Sequence, residues 1–439
     1  MPYANHEPIG LQHHGAGIVP RVEHLGGAVY MAHSLRYGVG HSLSLRFPAE
    51  TLVEDCAGPL SGSASDVAAA TLNALQAPLE FPPLTSASVP GDQITVAISE
   101  TLPCMSTIVT AVIDTLLEAT ARPDEITVLL PNARDVARYA AQAAWREGNY
   151  QRIKIEAHTP DDREALRYVA ASRQGNPIYF NRRLCDADLV IPIEVLTPGI
   201  DGHDWSAPGS LFPTFSDTAT QTRYLRATDI DSEKEHAEET REATWLLGVQ
   251  VSVQVIPGPG NQVLHVLAGQ TDAVQQMGRR LSADAWRPTV DAHADLVIAT
   301  IEGGPELQTW EYVGRALASA ARLVEDGGAI ALFTNLRELP GPALTRLVGD
   351  GADPAVSDEH SGDFAADRLV AHRVHQALRR ASIYLVSELP SQTIENLGIT
   401  HVERPDNIQR LGEQCDSCIL LANAQYAAPT ISGQGVQVS

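Results

Sequence analysis

Residues 175–213, GNPIYFNRRLCDADLVIPIEVLTPGIDGHDWSAPGSLFP, hold the change of pattern that decides the fold. Ile178, Tyr179 and Phe180 are β-formers, residues 181–186 read as a brief turn of helix, and residues 189–195 are almost all apolar. A strand apolar along its whole length is covered on both faces, which is the habit of a parallel sheet with helices on either side. The regularity then stops. Gly199, Gly202, Pro208, Gly209 and Pro213 forbid a long helix or a central strand, while Asp201, His203, Asp204, Trp205 and Ser206 crowd polar and aromatic groups into the same stretch. Ligands of open α/β sheets bind beyond the carboxyl ends of the strands, so this loop is expected to be functional.

The surrounding sequence repeats the same units. ITVAIS at 94–99 reads as a strand, TLPCMS as a loop, and Ile108, Val112 and Leu116 mark one helical face that ends before Pro123. A strand at 126–130, a loop at 131–134, an Ala-rich helix at 135–148 and a strand at 153–157 follow, and a further helix is expected through Ala165 and Tyr168. After the loop, 229–248 suits a helix with a solvated acidic face and a glycine stop. VSVQVI and QVLHVLAG suit paired strands around PGPGN, with His265 read as structural. ADLVI at 187–191 recurs at 294–298, again followed by a glycine-bearing loop (Gly303, Gly304, Pro305) and then a helix with Trp310, Val313, Leu317 and Ala321 on one side. GAIALFT, a helix near 367–380, IYLVS and a last helix–strand pair complete a second parallel sheet. The expected class is α/β with two domains, each a mainly parallel sheet flanked by helices, and a ligand cleft between them.

The chain's 439 residues exceed one compact domain, and the expected division is a polar arm at 1–35, domains at 36–285 and 286–425, and a tail at 426–439. Within the first part, Leu43, Leu45 and Phe47 alternate as in a half-buried strand, and Asp66 can cap a helix that precedes the extended connector APLEFPPL. The 54 acidic against 31 basic residues, a net charge of −23, argue against nucleic-acid partners. No apolar run of membrane-spanning length and no secretory signal appears, so a cytoplasmic protein without membrane partners is expected. Cys56, Cys104, Cys185, Cys415 and Cys418 are odd in number and fit a reducing compartment. The CxxC of Cys415 and Cys418 lacks a second ligand pair and reads as structural, and the N-terminal histidines read as part of the arm, so no metal site is expected. Nothing in the sequence signals an oligomeric state.

Three loops at strand ends supply candidate chemistry: Ser99, Glu100 and Thr101; Asn132, Arg134 and Asp135; and Asp201, His203, Asp204 and Ser206. Gln308 and Arg315 lie seven apart, two helical turns on one face, and complete a site for a small polar ligand. Arg134 and Arg315 suit bidentate binding of a carboxylate or phosphate, and His203 beside two carboxylates suits proton transfer near neutral pH. The plainer alternatives are that Arg134 pairs with Asp135 or Asp161 and that His203 is a surface loop residue.

The succession GNPIYFNRRLCDADLVI, a glycine-rich loop, HAEETREATWLLGVQVSVQVI, VLAG, ADLVIATIEGGPELQ with its helix, and EDGGAIALF resembles the nickel-dependent lactate racemase family and its relatives acting on other 2-hydroxy acids. The likeness runs from about Leu43 to Asn423. It implies an N-terminal α/β domain that binds a nickel-pincer nucleotide, a second domain closing over it, and inversion at the substrate's C2 by hydride abstraction and return, with histidines as bases. The catalytic motifs depart from the family's. For Asp-x-Thr-Arg-Pro the chain has Glu100, Thr101, Leu102, Pro103; for Thr-Gly-x-His-Arg it has Pro131, Asn132, Ala133, Arg134, Asp135. For His-x-x-x-Gly-Phe-Ser-Gly-Gly-x-Lys it has Pro198 in the metal-ligating position, then Gly202, His203, Asp204, Trp205, Ser206, and no lysine anywhere between Ala157 and Glu233. Gln308 matches a family glutamine, and Arg315 stands where a lysine is usual.

Proline cannot ligate nickel, and a covalent thioamide needs a lysine amine, so no covalent nickel-pincer nucleotide is expected. Two readings follow. One is a divergent racemase or epimerase of a small 2-hydroxy or sugar acid. His203, Glu100 and Asp204 then move protons, Arg134, Gln308, Arg315 and Ser206 bind substrate, and Ser99, Thr101, Asn132 and Gly202 line a cofactor position. The other is a non-catalytic small-ligand-binding or regulatory homologue.

Overall fold

The computed structural model describes residues 21–25, 28–59, 62–140, 148–199, 211–225, 230–350, 368–404 and 406–432. Two six-stranded sheets dominate it. The first runs, edge to edge, Val263–Gln270, Val251–Pro257, Leu189–Val195, Ile94–Ile98, Ile126–Leu130 and Lys154–Ala157. Its pairings are parallel except the antiparallel one between Val251–Pro257 and Val263–Gln270. Ile94–Ile98 and Ile126–Leu130 are buried at every position, as their unbroken apolar sequence requires. Ile108, Val112 and Leu116 of the helix Met105–Ala119 face this core. His265 alternates outward to solvent.

The second sheet runs Thr400–His401, Ser382–Val386, Val324–Phe333, Ala294–Thr300, Ser417–Leu421 and Leu52–Cys56, all parallel. The helices Trp310–Ala321 and Arg368–Arg380 cover one face, burying Val313, Leu317, Val370 and Val374 with Val297 and Leu332. A three-stranded antiparallel sheet, Arg21–Leu25, Ala28–Tyr37 and His41–Pro48, covers the other, where Leu43, Leu45 and Phe47 pack on Leu296, Ile298 and Phe333.

Four local features differ from the sequence reading. Residues 21–25 and 28–37 are strands rather than a loose arm, and Leu35 and Tyr37 of the second belong to the apolar cover on the second sheet. Leu52–Cys56 lies at the edge of the second sheet, although residues 36–285 read as belonging with the first. Residues 166–171 form a strand paired with Pro177–Asn181, not a helix. Gly175, at φ +86°, makes the turn, and Tyr168 and Tyr179 meet across the pair with ring centroids 5.5 Å apart. Finally, residues 426–432 are built in. Thr430–Ile431 pairs with Thr289–Val290, and Ser319 and Arg322 donate to the carbonyls of Ala427 and Pro429.

In each large sheet the chain adds strands in one direction and then crosses to the other side. In the first sheet it proceeds from Ile94–Ile98 outward to Lys154–Ala157 and then places Leu189–Val195 on the opposite flank. In the second it proceeds from Ala294–Thr300 to Thr400–His401 and then places Ser417–Leu421 on the opposite flank. Each reversal opens a crevice at the carboxyl ends of the strands. The two crevices face each other: the Gly260 amide donates to Asn423 Oδ1 at 2.8 Å, and Tyr426 Oη donates to the Gly260 carbonyl at 3.2 Å. No helix among the described residues is long and apolar enough to cross a membrane.

Candidate functional site

The helix Trp310–Ala321 carries Arg315 into the junction. The Nε of Arg315 donates to the Gln425 carbonyl at 3.0 Å, and its Nη2 donates to Thr197 Oγ1 just beyond the strand Leu189–Val195. Arg315 and Ser319 are four residues apart on one helical face, and both grip the segment that follows Ser417–Leu421.

Glu100 follows the neighbouring strand Ile94–Ile98, and its Oε1 accepts from the Val195 amide at 3.3 Å. Burial pushes the Glu100 carboxyl up to about 8, with Glu311 and Glu194 adding to the rise while Arg315 and the Val195 amide oppose it. Glu100 therefore holds a proton near neutrality beside a fixed cation, the environment of a general acid or base. Beneath it, the buried Glu194 accepts from Gln254 Nε2 at 2.8 Å.

Thr101 Oγ1 accepts from Arg138 at 3.0 Å, and Arg138 also pairs with Asp135 at 3.1 Å. Asn132 caps the helix Ala133–Ala140, its Oδ1 accepting from the Asp135 amide at 2.9 Å and its Nδ2 donating to Asp135 Oδ2 at 2.9 Å. Arg134 pairs with neither Asp135 nor Asp161. Its Nη1 reaches Glu338 Oε1 at 2.8 Å, across the junction on the segment after Val324–Phe333. Glu338 raises the Arg134 guanidinium further by hydrogen bonding and charge.

Gln308 does not share a helix face with Arg315. Pro305 starts a 3-10 turn, Pro305–Leu307, and extended Thr309 separates that turn from the helix, so Gln308 sits outside it. Gln308 Oε1 accepts from Thr334 Oγ1 at 2.6 Å and the Asn335 amide at 2.8 Å, and Nε2 donates to the Gly303 carbonyl at 3.1 Å. Gln308 thus knits the two loops after Ala294–Thr300 and Val324–Phe333, and it is only 6% exposed. Ser99 directly follows Ile94–Ile98.

Gly202, His203, Asp204 and Ser206 lie outside the described residues. The return limb after them is described. His158, at the end of Lys154–Ala157, is buried, with Nε2 donating to the Ser216 carbonyl at 2.7 Å and Nδ1 accepting from Asn181 Nδ2 at 3.1 Å.

The first sheet's strand-end loops carry no lysine. The chain's two lysines are Lys154, which opens the edge strand Lys154–Ala157 opposite Thr127, and Lys234, within the helix Ile230–Leu247. Lys154 is thus level with the start of the neighbouring strand Ile126–Leu130, about three residues or ~10 Å from its carboxyl end. No group of three or more His, Cys, Asp or Glu side chains suited to a metal occurs among the described residues. Thr197, Gln425, Glu338 and Arg138 join the site without having been singled out in the sequence. Thr197 had a signal, its place at a strand end; Glu338 and Gln425 are 204 and 110 residues from their partners and had none.

Residues 37–205 match the lactate racemase N-terminal domain family. The lactate racemase apoprotein from Thermoanaerobacterium thermosaccharolyticum superposes with a TM-score of 0.70 at 13% identity, over 91% of this chain and 99% of that one. A Thermotoga maritima protein solved as a structural-genomics target superposes with a TM-score of 0.56 at 12% identity, over 80% of this chain and 96% of that one. No curated protein sequence matches the chain. The chain thus carries a match to that family's N-terminal domain at residues 37–205 and shares the lactate racemase fold over most of its length.

Proposed function

We propose that this protein binds a small 2-hydroxy or sugar acid in the cleft between its two sheets and inverts its C2 centre as a divergent racemase or epimerase, with the family's usual nickel-pincer attachment lost. The observation that carries the reading is the convergence at one strand end of Glu100, held by the Val195 amide, and Arg315, held by Thr197 from the opposite side of the junction, with the Arg315 charge acting on a carboxyl that burial raises to about 8. In this reading Arg315 and Arg134 take the ligand's carboxylate, because a guanidinium fork matches two carboxylate oxygens. Glu100 holds the proton that is moved, with His203 and Asp204 completing the acid–base set and Ser206 contacting substrate. Gln308 shapes the loops around the ligand; Ser99, Thr101, Asn132 and Gly202 line the position a cofactor would take. The loss of attachment is supported by Pro198 in the ligating position, by the absence of any lysine from the sequence between Ala157 and Glu233, and by the placement of Lys154 level with the start of the neighbouring strand. The net charge of −23 fits a small-molecule partner better than nucleic acid.

Calorimetric titration of the full chain with D-lactate, L-lactate, D-glycerate and D-gluconate tests the binding step. One or more is expected to bind, and Arg315→Ala is expected to weaken it at least about tenfold, the loss of a charge-assisted pair. Binding unchanged by Arg315→Ala, in a variant that still melts cooperatively, contradicts the assignment. A second reading, ligand binding without turnover, is favoured by the internal hydrogen bonding of Gln308 and Asn132, which ties both to protein groups. Binding without inversion of any acid selects it.

A further inference from the structure

We propose that Glu338 is a built-in competitor for the ligand carboxylate at Arg134, and so sets the affinity and selectivity of the cleft for anions. This rests on the reading of Arg134 as a carboxylate-binding group, and it adds a residue from the opposite side of the junction to that site.

Arg134 is at the carboxyl end of Ile126–Leu130, in the first turn of the helix Ala133–Ala140, where a ligand of the first sheet would lie. Its partner in this state is the protein's own carboxylate, with Nη1 of Arg134 2.8 Å from Glu338 Oε1. Glu338 is anchored independently of Arg134. Its Oε2 accepts from the Trp310 amide at 3.2 Å, and its main-chain carbonyl accepts from Trp310 Nε1 at 2.8 Å. Trp310 is buried and opens the helix that carries Arg315. The carboxylate is thus presented to Arg134 by the second sheet, and the two arginines of the site are joined through one short stretch of structure.

The arm on the Arg134 side is exposed. Its side chain is 77% accessible against 29% for Glu338. An ion pair so open to water is weak, and the contact engages one guanidinium nitrogen where a free carboxylate can engage two. A ligand carboxylate therefore exchanges for Glu338 like for like, and the Glu338 charge, left nearby on its Trp310 anchor, disfavours ligands carrying a second negative charge.

The test is a double-mutant cycle on the full chain, titrated calorimetrically with D-lactate, L-lactate, D-glycerate and D-gluconate. Glu338→Gln keeps an acceptor for the Trp310 amide while removing the charge, and is expected to tighten binding roughly threefold to tenfold. Arg134→Gln is expected to weaken it at least about tenfold. Adding Glu338→Gln to Arg134→Gln is expected to change affinity by less than about twofold, since the competed group is gone. Glu338→Asp, which keeps the charge on a shorter arm, supplies a second variant and is expected to tighten binding by a smaller factor. Binding of any of these acids by the wild type with no gain in Glu338→Gln overturns the inference while leaving the carboxylate site standing. An equal gain with and without Arg134 also overturns it. Failure of both the wild type and Glu338→Gln to bind any of D-lactate, L-lactate, D-glycerate and D-gluconate overturns the inference and the carboxylate reading of Arg134 together.

Discussion

Arg315 and Thr197 are hydrogen-bonded across the junction, joining a helix of the second sheet to the loop that leaves the central strand of the first. The same guanidinium holds the Gln425 carbonyl, so one side chain ties together two strand-end loops 228 residues apart, from 197 to 425. Arg315→Ala removes both bonds and leaves a carbonyl and a hydroxyl without this donor. A loss of about 2–3 kcal/mol of stability is expected, read from urea denaturation. A loss under about 0.5 kcal/mol, the range of an ordinary surface substitution, would show that Arg315 is not a structural tie.

Glu100 makes stability pH-dependent with a definite sign. Its folded carboxyl titrates at about 8 against an unfolded value of 4.5, so between these limits the folded state holds a proton that the unfolded state has lost. The contribution is complete below about 4.5 and disappears as pH rises through about 8. Glu100→Gln should therefore flatten this part of the stability curve. Parallel curves for wild type and variant between those limits would place the Glu100 carboxyl in the ordinary range.

His158 acts with the opposite sign. Burial lowers its pKa below 6.5, although the Ser216 carbonyl opposes the shift. Both ring nitrogens are used, and the amide of Asn181 is oriented by the Arg183 N–H donating to its Oδ1 at 2.9 Å, so a second ring proton would face the Asn181 NH2 group. The neutral ring contributes stability above about 6.5 that is lost as pH falls toward the lowered value. Denaturation of His158→Gln should show a shallower loss between neutral pH and pH 5 than the wild type. The same comparison reports on residues 211–216, which hold the Ser216 carbonyl against His158. An equal slope in both proteins would place the His158 imidazole in its ordinary range.

Intact-mass measurement of purified protein, followed by peptide mapping, addresses cofactor attachment. The expected result is an unmodified Lys154 and Lys234. A stable nucleotide adduct on either would contradict the proposed loss of attachment.

The parallel core was legible because ITVAI, ITVLL and LVIPIEV are apolar without interruption, and only strands covered on both faces carry such runs. The positions of Glu100, Asn132 and Arg134 followed from the same strands, since all three come shortly after their carboxyl ends. The partners of those residues were not legible. Arg134 has Asp135 beside it in sequence, yet it meets Glu338, because the opposing loop is set by the packing of a whole second sheet. Gln308 and Arg315 have helical spacing, but Pro305 and Thr309 interrupt the helix between them. The LRYVAA strand was missed because its pairing depends on the Gly175 turn and on tyrosines that meet only after the chain reverses.

The proposed inversion at C2 of a small hydroxy acid, with Glu100 holding the moving proton, is tested by chiral chromatography after incubating single enantiomers of lactate and glycerate with the full chain. The wild type is expected to produce the opposite enantiomer of at least one acid, and Glu100→Gln to slow this by about 100-fold or more, the usual weight of a positioned acid or base. Inversion that proceeds equally in Glu100→Gln, or an acid that binds and is never inverted by the wild type, would contradict it.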